Sequence, residues 1–229
     1  MEKSHLINVL QERGINRLYH ANTLPTSLLY LKKRALLSRA YVEKRGLYQT
    51  PQWTDQSDKK LHVWNDIFLD TVDIHERASN SNQYGPVLFA LDWKILRLRS
   101  VNRVEVTKCN PYKWEKMEKK DRWFTSKKDL EKNLDIGNFG QSIVVRFSGR
   151  LPFGHYLEEI ILDDPWVETA EGVCFYARAR KMINGELSRS KLAVPVRKRK
   201  CTEMCECLKS YQAWGCAEAN RVFLQPENS

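Results

Sequence analysis

The chain has 229 residues, which suits one domain of ordinary size with at most a small appendage. Hydrophobic residues make up 42% and charged residues 29%, a balance that argues against wholesale disorder. With 38 Lys and Arg against 28 Asp and Glu, the net charge of +10 favours polyanionic partners such as nucleic acid or phosphate-rich cofactors.

Membrane and export signals are missing from the sequence. No apolar run approaches the roughly 20 residues needed to span a bilayer. The first 20 residues alternate charged with apolar side chains and lack the apolar stretch of a signal peptide. We therefore expect a cytoplasmic protein that does not act in a membrane.

The pattern along the chain predicts many short elements. Helices are predicted at 3–12, 26–34 and 127–133, and 38–60 is predicted to be a long functional loop. Strands are predicted at 15–20, 66–70, 86–92, 141–148, 156–162 and 172–176. Many short strands with few helices indicate an α+β fold. Because composition shifts near residue 184, we predict a main domain over 1–183 and a basic, Cys-rich extension over 184–229 packed on it.

Four of the six cysteines lie within Cys201–Cys216, with the spacing C-x3-C-x-C-x8-C. Zinc sites usually use C-x2–4-C pairs repeated at a distance, and Cys205 and Cys207 are too close for two such pairs. We therefore predict no metal site and a reduced, Cys-rich helix packed partly on the core, with structural zinc as the alternative.

The common nucleotide and hydrolase motifs are missing: G-x-G-x-x-G, the Walker A loop, G-x-S-x-G and H-E-x-x-H do not occur. What remains are polar residues at predicted strand ends. His20 ends the first strand, and Asn22 and Thr23 follow it. Glu158 and Glu159 lie in mid-strand and are predicted to point to opposite faces.

Several short segments, in order, resemble the DarT-type ADP-ribosyltransferases, toxins that transfer ADP-ribose from NAD to bases of single-stranded DNA. The resemblance covers about residues 15–180. The segments that carry it are YHANTLP (19–25), ALLS (35–38), 61–69, 86–91, YLEEIIL (156–162) and 172–176. Three departures are Ala35 in place of the usual Gly, a less aromatic 67–69 strand, and no clear match for an expected arginine. The tail after residue 184 has no counterpart.

The resemblance implies an ADP-ribosyltransferase-like fold, in which short helices flank a central split, mixed or antiparallel β-sheet. It also implies NAD as co-substrate and a role as a toxin or phage-defence effector. Such a toxin implies an antitoxin partner, for example a macrodomain ADP-ribosyl hydrolase.

The resemblance also assigns roles to residues. Glu159 is the expected catalytic carboxylate, and the register with three apolar residues after the acid selects it over Glu158. Arg45 is the first candidate for pairing with the diphosphate, with Arg39 behind it. The expected NAD contacts are His20 to the adenosine-side ribose, Asn22 or Thr23 to the nicotinamide amide, and Phe68 near the nicotinamide ring.

The acceptor nucleic acid is expected along the loop at 38–60. Its expected contacts are Lys44, Arg45, Lys59 and Lys60, with Trp53 as a stacking platform. The basic run at 197–200 is either a further phosphate contact or a solvated charged segment.

Other functions stay open from the sequence. The same transferase could modify RNA or a protein instead of single-stranded DNA. A non-catalytic nucleic-acid-binding module would use the Trp and Lys residues alone. A metal-dependent nuclease would need Asp66, Asp70, Asp73 and Glu159 together, although these residues lack a recognised nuclease spacing.

Overall fold

A computed structural model describes residues 2–74, 84–138, 140–169, 172–199, 202–214 and 216–224. Its helices are α1 (Lys3–Glu12), α2 (Leu24–Lys33), α3 (Arg39–Lys44), α4 (Asp55–Lys60), α5 (Lys127–Asn133), α6 (Phe175–Arg189), α7 (Glu206–Ala213) and α8 (Cys216–Phe223). Its strands are β1 (Arg17–Asn22), β2 (Ala35–Leu37), β3 (Ile67–Leu69), β4 (Val87–Asp92), β5 (Val104–Val106), β6 (Ile143–Val145), β7 (Arg150–Pro152), β8 (Leu157–Leu162) and β9 (Val196–Lys198). The predicted α+β class is confirmed.

The strands form three sheets. The largest has the order β1-β4-β8-β9, with β8 and β9 parallel and the other pairs antiparallel. Two antiparallel sheets, β2-β7 and β3-β6-β5, lie beside it. A single bridge between Tyr19 and Asp70 joins β1 of the large sheet to the end of β3. Strands β1 and β3 therefore separate just beyond that bridge.

The core lies mainly on one face of the large sheet. Cross-strand partners share a face, so His20, Phe89 and Ile160 lie in one row, and Phe89 and Ile160 are completely buried. Phe89 stacks on Phe153 at a centroid distance of 5.6 Å. Helices α2 and α6 pack against each other over this core. The opposite face carries a smaller apolar cluster that includes Leu88 and Ile161.

Two secondary-structure predictions were wrong. The predicted loop at 38–60 contains α3 and α4. Ser38 Oγ caps α3 by accepting from the Tyr41 N–H, and α4 begins with acidic residues and ends with Lys59 and Lys60, which suits the helix dipole. The predicted strand at 172–176 is instead the start of α6, because apolar residues recur there with a helical spacing of about four.

The residues after 184 complete the fold. The predicted boundary between residues 183 and 184 lies inside helix α6. Strand β9, after that boundary, joins the large sheet beside β8. From α7 and α8, Tyr211 and Phe223 are buried in the main core, 5.2 Å apart and edge to face. The C-terminal region therefore supplies an edge strand and core side chains to the same unit.

The cysteine prediction falls partly outside the described residues. Cys201 is not among them, and nothing is described of the Cys216 side chain, whereas Cys207 is buried in α7. Among the residues that are described, no group of three or more His, Cys, Asp or Glu side chains is placed to hold a metal ion. No helix within that part of the chain combines the length and the apolar character needed to cross a bilayer.

Candidate functional site

A deep cleft opens where β1 and β3 separate. At the bridge, the N–H of Tyr19 donates to the carbonyl of Asp70 over 2.9 Å, and the N–H of Asp70 donates back over 2.8 Å. One residue further on, the strands diverge, and His20 Nδ1 spans the gap to the carbonyl oxygen of Phe68, 2.9 Å away. The cleft encloses about 1200 Å³, open solvent at its mouth included.

The divergence exposes one peptide edge of β1 to the cleft. Backbone groups alternate in direction along a strand, so the N–H and C=O of Ala21 point to the same side as those of Tyr19. That side is the β3 side, where Tyr19 meets Asp70 and where Ala21 lines the cleft. The cleft therefore contains an adjacent backbone donor and acceptor, which match the two groups of a primary carboxamide.

His20 provides a hydrogen-bond acceptor in the cleft. Because a carbonyl only accepts, Nδ1 carries the proton in its bond to Phe68, and Nε2 of the neutral ring is left as an acceptor. Nε2 is buried and has no hydrogen-bond partner among the described residues. Burial lowers the pKa of His20, against the opposing effect of the bond to Phe68. A buried acceptor without a partner in a cleft is a candidate ligand contact.

Asn22 and Thr23 make internal hydrogen bonds. Asn22 Nδ2 donates to the Tyr30 hydroxyl over 3.2 Å, and Asn22 Oδ1 accepts from the Thr23 N–H. The Thr23 hydroxyl is 2.7 Å from that of Thr50. Asn22 and Tyr30 line the cleft, whereas Thr23 is not among the lining residues. Both predicted amide contacts thus have their side-chain groups engaged in holding the cleft floor.

Arg39, and not Arg45, lines the cleft. Arg39 Nη2 donates to the Thr50 carbonyl over 3.1 Å and to Asp55 Oδ2 over 2.8 Å. Its Nε is buried without a hydrogen-bond partner among the described residues. Arg45 is exposed, and its guanidinium lies 3.6 Å from the ring centre of Tyr41. Of the two predicted arginines, the second choice is the one that the fold directs into the cleft.

Two acids also line the cleft, Asp66 buried and Asp58 half-buried. Burial raises the pKa of Asp58, which accepts a hydrogen bond from the Thr54 hydroxyl. Burial also raises the pKa of Asp66, although the Phe147 N–H and Arg146 oppose that shift. Arg146 Nε is 2.7 Å from Asp66 Oδ2, an ion-pair distance without hydrogen-bond alignment. These acids were not predicted to share a cleft with His20.

Gly85 lets Tyr84 reach the cleft. The glycine has a φ of +130°, and a Cβ there would lie 2.4 Å from the Thr23 nitrogen. Only glycine tolerates both that backbone conformation and that close approach. The segment therefore packs directly on the end of β1 and brings Tyr84 to the cleft wall.

Aromatic side chains from opposite walls meet at the cleft mouth. Trp53 and Tyr112 contact edge to face with ring centres 6.3 Å apart, and they are 71% and 66% exposed. Lys59 lies over the Trp64 ring and pairs with Glu43 at 2.5 Å. Of the other predicted nucleic-acid contacts, Lys44 and Lys60 are exposed on α3 and α4.

Glu159 is not among the residues that line the cleft. It lies in a row with Ala90 and Tyr19, on the sheet face that Ala21 shares and opposite the face of His20. Arg197 Nε is 2.9 Å from Glu159 Oε1, and Arg17 Nη1 is 3.6 Å from Oε2. The catalytic carboxylate expected from the sequence is thus on the Ala21 side of the sheet and engaged by two guanidinium groups.

The prediction that Glu158 and Glu159 point to opposite faces was wrong. The register between β4 and β8 shifts after Ala90, so that Ala90 pairs with Glu159 and Leu91 with Leu157. An extra residue in one strand breaks the alternation of side chains. Both carboxylates consequently reach Arg17, with Glu158 Oε2 2.6 Å from its Nε.

Arg197 and Lys198 of the basic run are exposed, and each described residue of the run has a carboxylate partner. Arg197 pairs with Glu159, and Lys198 pairs with Asp164. Arg199 is largely but not fully buried, and it donates to Asp73 at 2.6 and 3.0 Å and to Asp163 at 2.7 Å. Lys200 lies outside the described residues. This set of ion pairs ties β9 to the end of β8.

The four acids of the nuclease alternative do not converge. Asp66 and Asp70 line the cleft, while Asp73 and Glu159 do not. Asp73 pairs with Arg199, and Glu159 pairs with Arg197. The geometry thus gives the nuclease hypothesis no shared metal position among these residues.

A scan against protein-family models finds no match to this chain, and a search of curated proteins finds none either. The functional assignment therefore depends on the site itself and on the order of the motifs that resemble DarT-type enzymes.

Sequence reasoning missed part of the cleft. Ala21 contributes through its backbone, which carries no residue-type signal. Asp58 and Tyr112 lie far from His20 in sequence, and only the fold brings them to one cavity. Arg39 had a signal, since it directly follows the Ala35–Ser38 segment that resembles the family.

Proposed function

We propose that the protein is an NAD-dependent ADP-ribosyltransferase that modifies nucleic acid, with single-stranded DNA as the first acceptor to test. The observation that carries the proposal is the composition of the cleft. Around one cavity lie a backbone donor and acceptor pair at Ala21, an unpartnered imidazole nitrogen of His20 and the Arg39 guanidinium. These groups suit, in turn, the amide, a ribose hydroxyl and the diphosphate of NAD.

NAD would lie along the cleft from Ala21 to Arg39. The nicotinamide amide would bond to the Ala21 backbone, with Phe68 or Tyr84 beside the ring, since both line the cleft. The neutral His20 Nε2 would accept a bond from a ribose hydroxyl. Asp55 and Thr50 already hold the Arg39 side chain in place. Binding of the diphosphate would therefore cost little additional side-chain entropy. The split between β1 and β3 supports an ADP-ribosyltransferase-like arrangement.

The transfer would occur at C1′ of the nicotinamide ribose. The C1′–N bond to nicotinamide breaks, and its electron pair leaves with the ring, which becomes neutral. A nucleophilic atom of the acceptor base forms the new bond to C1′ and gives up its proton. Glu159, on the sheet face of Ala21, would stabilise the positive charge that develops at C1′ and receive that proton.

The acceptor would bind at the cleft mouth, on the exposed rings of Trp53 and Tyr112. Stacking on exposed aromatic rings holds unpaired bases with little regard to sequence, and a net charge of +10 favours the phosphate backbone. Lys44 and Lys60, exposed on α3 and α4, would add phosphate contacts. Under this proposal, an antitoxin that reverses or blocks the modification remains the expected partner.

The direct test is label transfer from NAD to oligonucleotides. Purified protein is incubated with labelled NAD and single-stranded DNA, duplex DNA, RNA or a protein mixture. Wild type is compared with Glu159→Gln, and Glu158→Gln is the matched control, because it removes the neighbouring carboxylate that also contacts Arg17. The proposal expects label on single-stranded nucleic acid, lost in Glu159→Gln and retained in Glu158→Gln.

Other outcomes would redirect the assignment. Label on RNA or protein alone would keep the transferase and change the acceptor. Transfer that survives Glu159→Gln and is lost in Asp66→Asn would move the catalytic role into the cleft itself. No NAD binding and no transfer would overturn the proposal.

A second candidate is a nucleic-acid-binding module without catalysis. The exposed Trp53 and Tyr112 pair favours it, because stacking alone accounts for these rings. It gives no account of the unpartnered His20 Nε2. Oligonucleotide binding without any binding of NAD would select this module.

A further inference from the structure

Glu159 is held by the C-terminal strand of the sheet. Strand β9 pairs in parallel with β8, so that Val196 to Lys198 lie beside Ile160 to Leu162. In this register Arg197 lies opposite Ile161 and shares its face, which is also the face of Glu159. Lys198, one residue along, lies on the other face. The strand thus sends one basic side chain toward Glu159 and the next away from it.

The contact between Arg197 and Glu159 has the geometry of a fork. Arg197 Nε donates to Glu159 Oε1 over 2.9 Å, and Nη2 reaches Oε2 at 3.4 Å. Arg17 approaches Oε2 at 3.6 Å, but its closer partner is Glu158 at 2.6 Å. Two donors on two oxygens fix both the position and the rotation of a carboxylate, which a single point charge does not do.

We infer that Arg197 is a positioning residue that orients the Glu159 carboxylate for transfer. The inference rests on the proposed function. Arg197 would act on NAD only through Glu159, its ion-pair partner. It follows that residues after 184 take part in the reaction, although this tail has no counterpart in the family that the chain resembles.

The test measures steady-state transfer in three variants on β9. Arg197→Met removes the fork, Arg197→Lys keeps the charge without the fork, and Lys198→Met is the matched control. Lys198 is adjacent, and its ion pair is with Asp164. Thermal unfolding is recorded for each, and a single half-exposed ion pair is expected to shift Tm by less than about 4 °C in every case.

The expected result is a loss of kcat without a comparable change in KM. Arg197→Met should lower kcat by about 10- to 100-fold, since small misplacements of a reacting group cost factors of this size. The KM for NAD should stay within about threefold, because the groups that bind NAD are elsewhere. Arg197→Lys should recover part of the loss, and Lys198→Met should match wild type.

Three results would overturn the inference, and they are distinguishable. If wild type transfers ADP-ribose and Arg197→Met behaves like Lys198→Met, Arg197 has no positioning role while the proposed function stands. If Arg197→Met loses activity only together with a large drop in Tm, the role is structural. An inactive wild type would instead overturn the proposed function and this inference with it.

Discussion

The buried imidazole of His20 should make the stability of the protein depend on pH in a defined window. Burial lowers the pKa of His20 in the folded chain, whereas in the unfolded chain it should be close to the ordinary 6.5. Below pH 6.5 the unfolded chain therefore binds a proton that the folded chain does not. Because protonation favours the unfolded state, stability contributed by neutral His20 is present above pH 6.5 and falls as pH decreases toward the folded pKa.

The size of the effect follows from linkage. Each pH unit between the two pKa values costs about 1.4 kcal/mol of unfolding free energy. When the pH is lowered from 7.5 to 5.0, protonation of the unfolded His20 should reduce the free energy of unfolding by up to about 2 kcal/mol. The loss begins at pH 6.5, so only the 1.5 pH units between 6.5 and 5.0 contribute. The hydrogen bond from Nδ1 to Phe68 opposes the shift, but the pKa of His20 is still lowered on balance.

Urea unfolding of wild type and His20→Asn at pH 7.5 and 5.0 measures this loss. The asparagine amide is placed to keep a donor toward the Phe68 carbonyl while removing the titrating group. The free energy of unfolding should drop more for wild type than for the variant, by up to about 2 kcal/mol. An equal pH dependence in the two proteins would refute the claim that His20 stays neutral in the fold.

Three further predictions concern the other parts of the site. Arg199→Met should destabilise by about 3 kcal/mol in urea unfolding, because it leaves buried carboxylates without their guanidinium, while Lys198→Met should cost less than about 1 kcal/mol. Equal losses would contradict the buried network. Trp53→Ala or Tyr112→Ala should weaken oligonucleotide binding by about 5- to 100-fold in fluorescence anisotropy and leave NAD binding unchanged. Arg39→Met should weaken NAD binding by at least about 10-fold in calorimetry, and an unchanged affinity would remove Arg39 from the diphosphate site.

Much of the fold was predictable because its signals are local. The amphipathic spacing of Leu6, Ile7 and Leu10 predicted α1, and β-branched and aromatic runs predicted the strands at 86–92 and 156–162. The segment Gly172–Tyr176 by itself does not reveal the start of α6. Its helical period becomes visible only when Phe175 is compared with Ala179 and Ile183.

The site was only partly predictable because it depends on register and on distant partners. His20 and Phe68 were both selected from their sequence context, and they meet through a hydrogen bond across 48 residues. The local sequence of β8 gives no sign of the one-residue register shift at Ala90, so it did not predict the shared contact of Glu158 and Glu159 with Arg17. The charges at 197–199 gave no sign in sequence that each had a carboxylate partner.

The most direct test of the account is a structure of the protein with NAD bound, obtained with Glu159→Gln to slow turnover. The account predicts the nicotinamide amide on the N–H and C=O of Ala21, a ribose hydroxyl on His20 Nε2 and the diphosphate beside Arg39. NAD bound elsewhere, or no NAD bound at saturating concentration, would contradict the claim that this cleft is an NAD site.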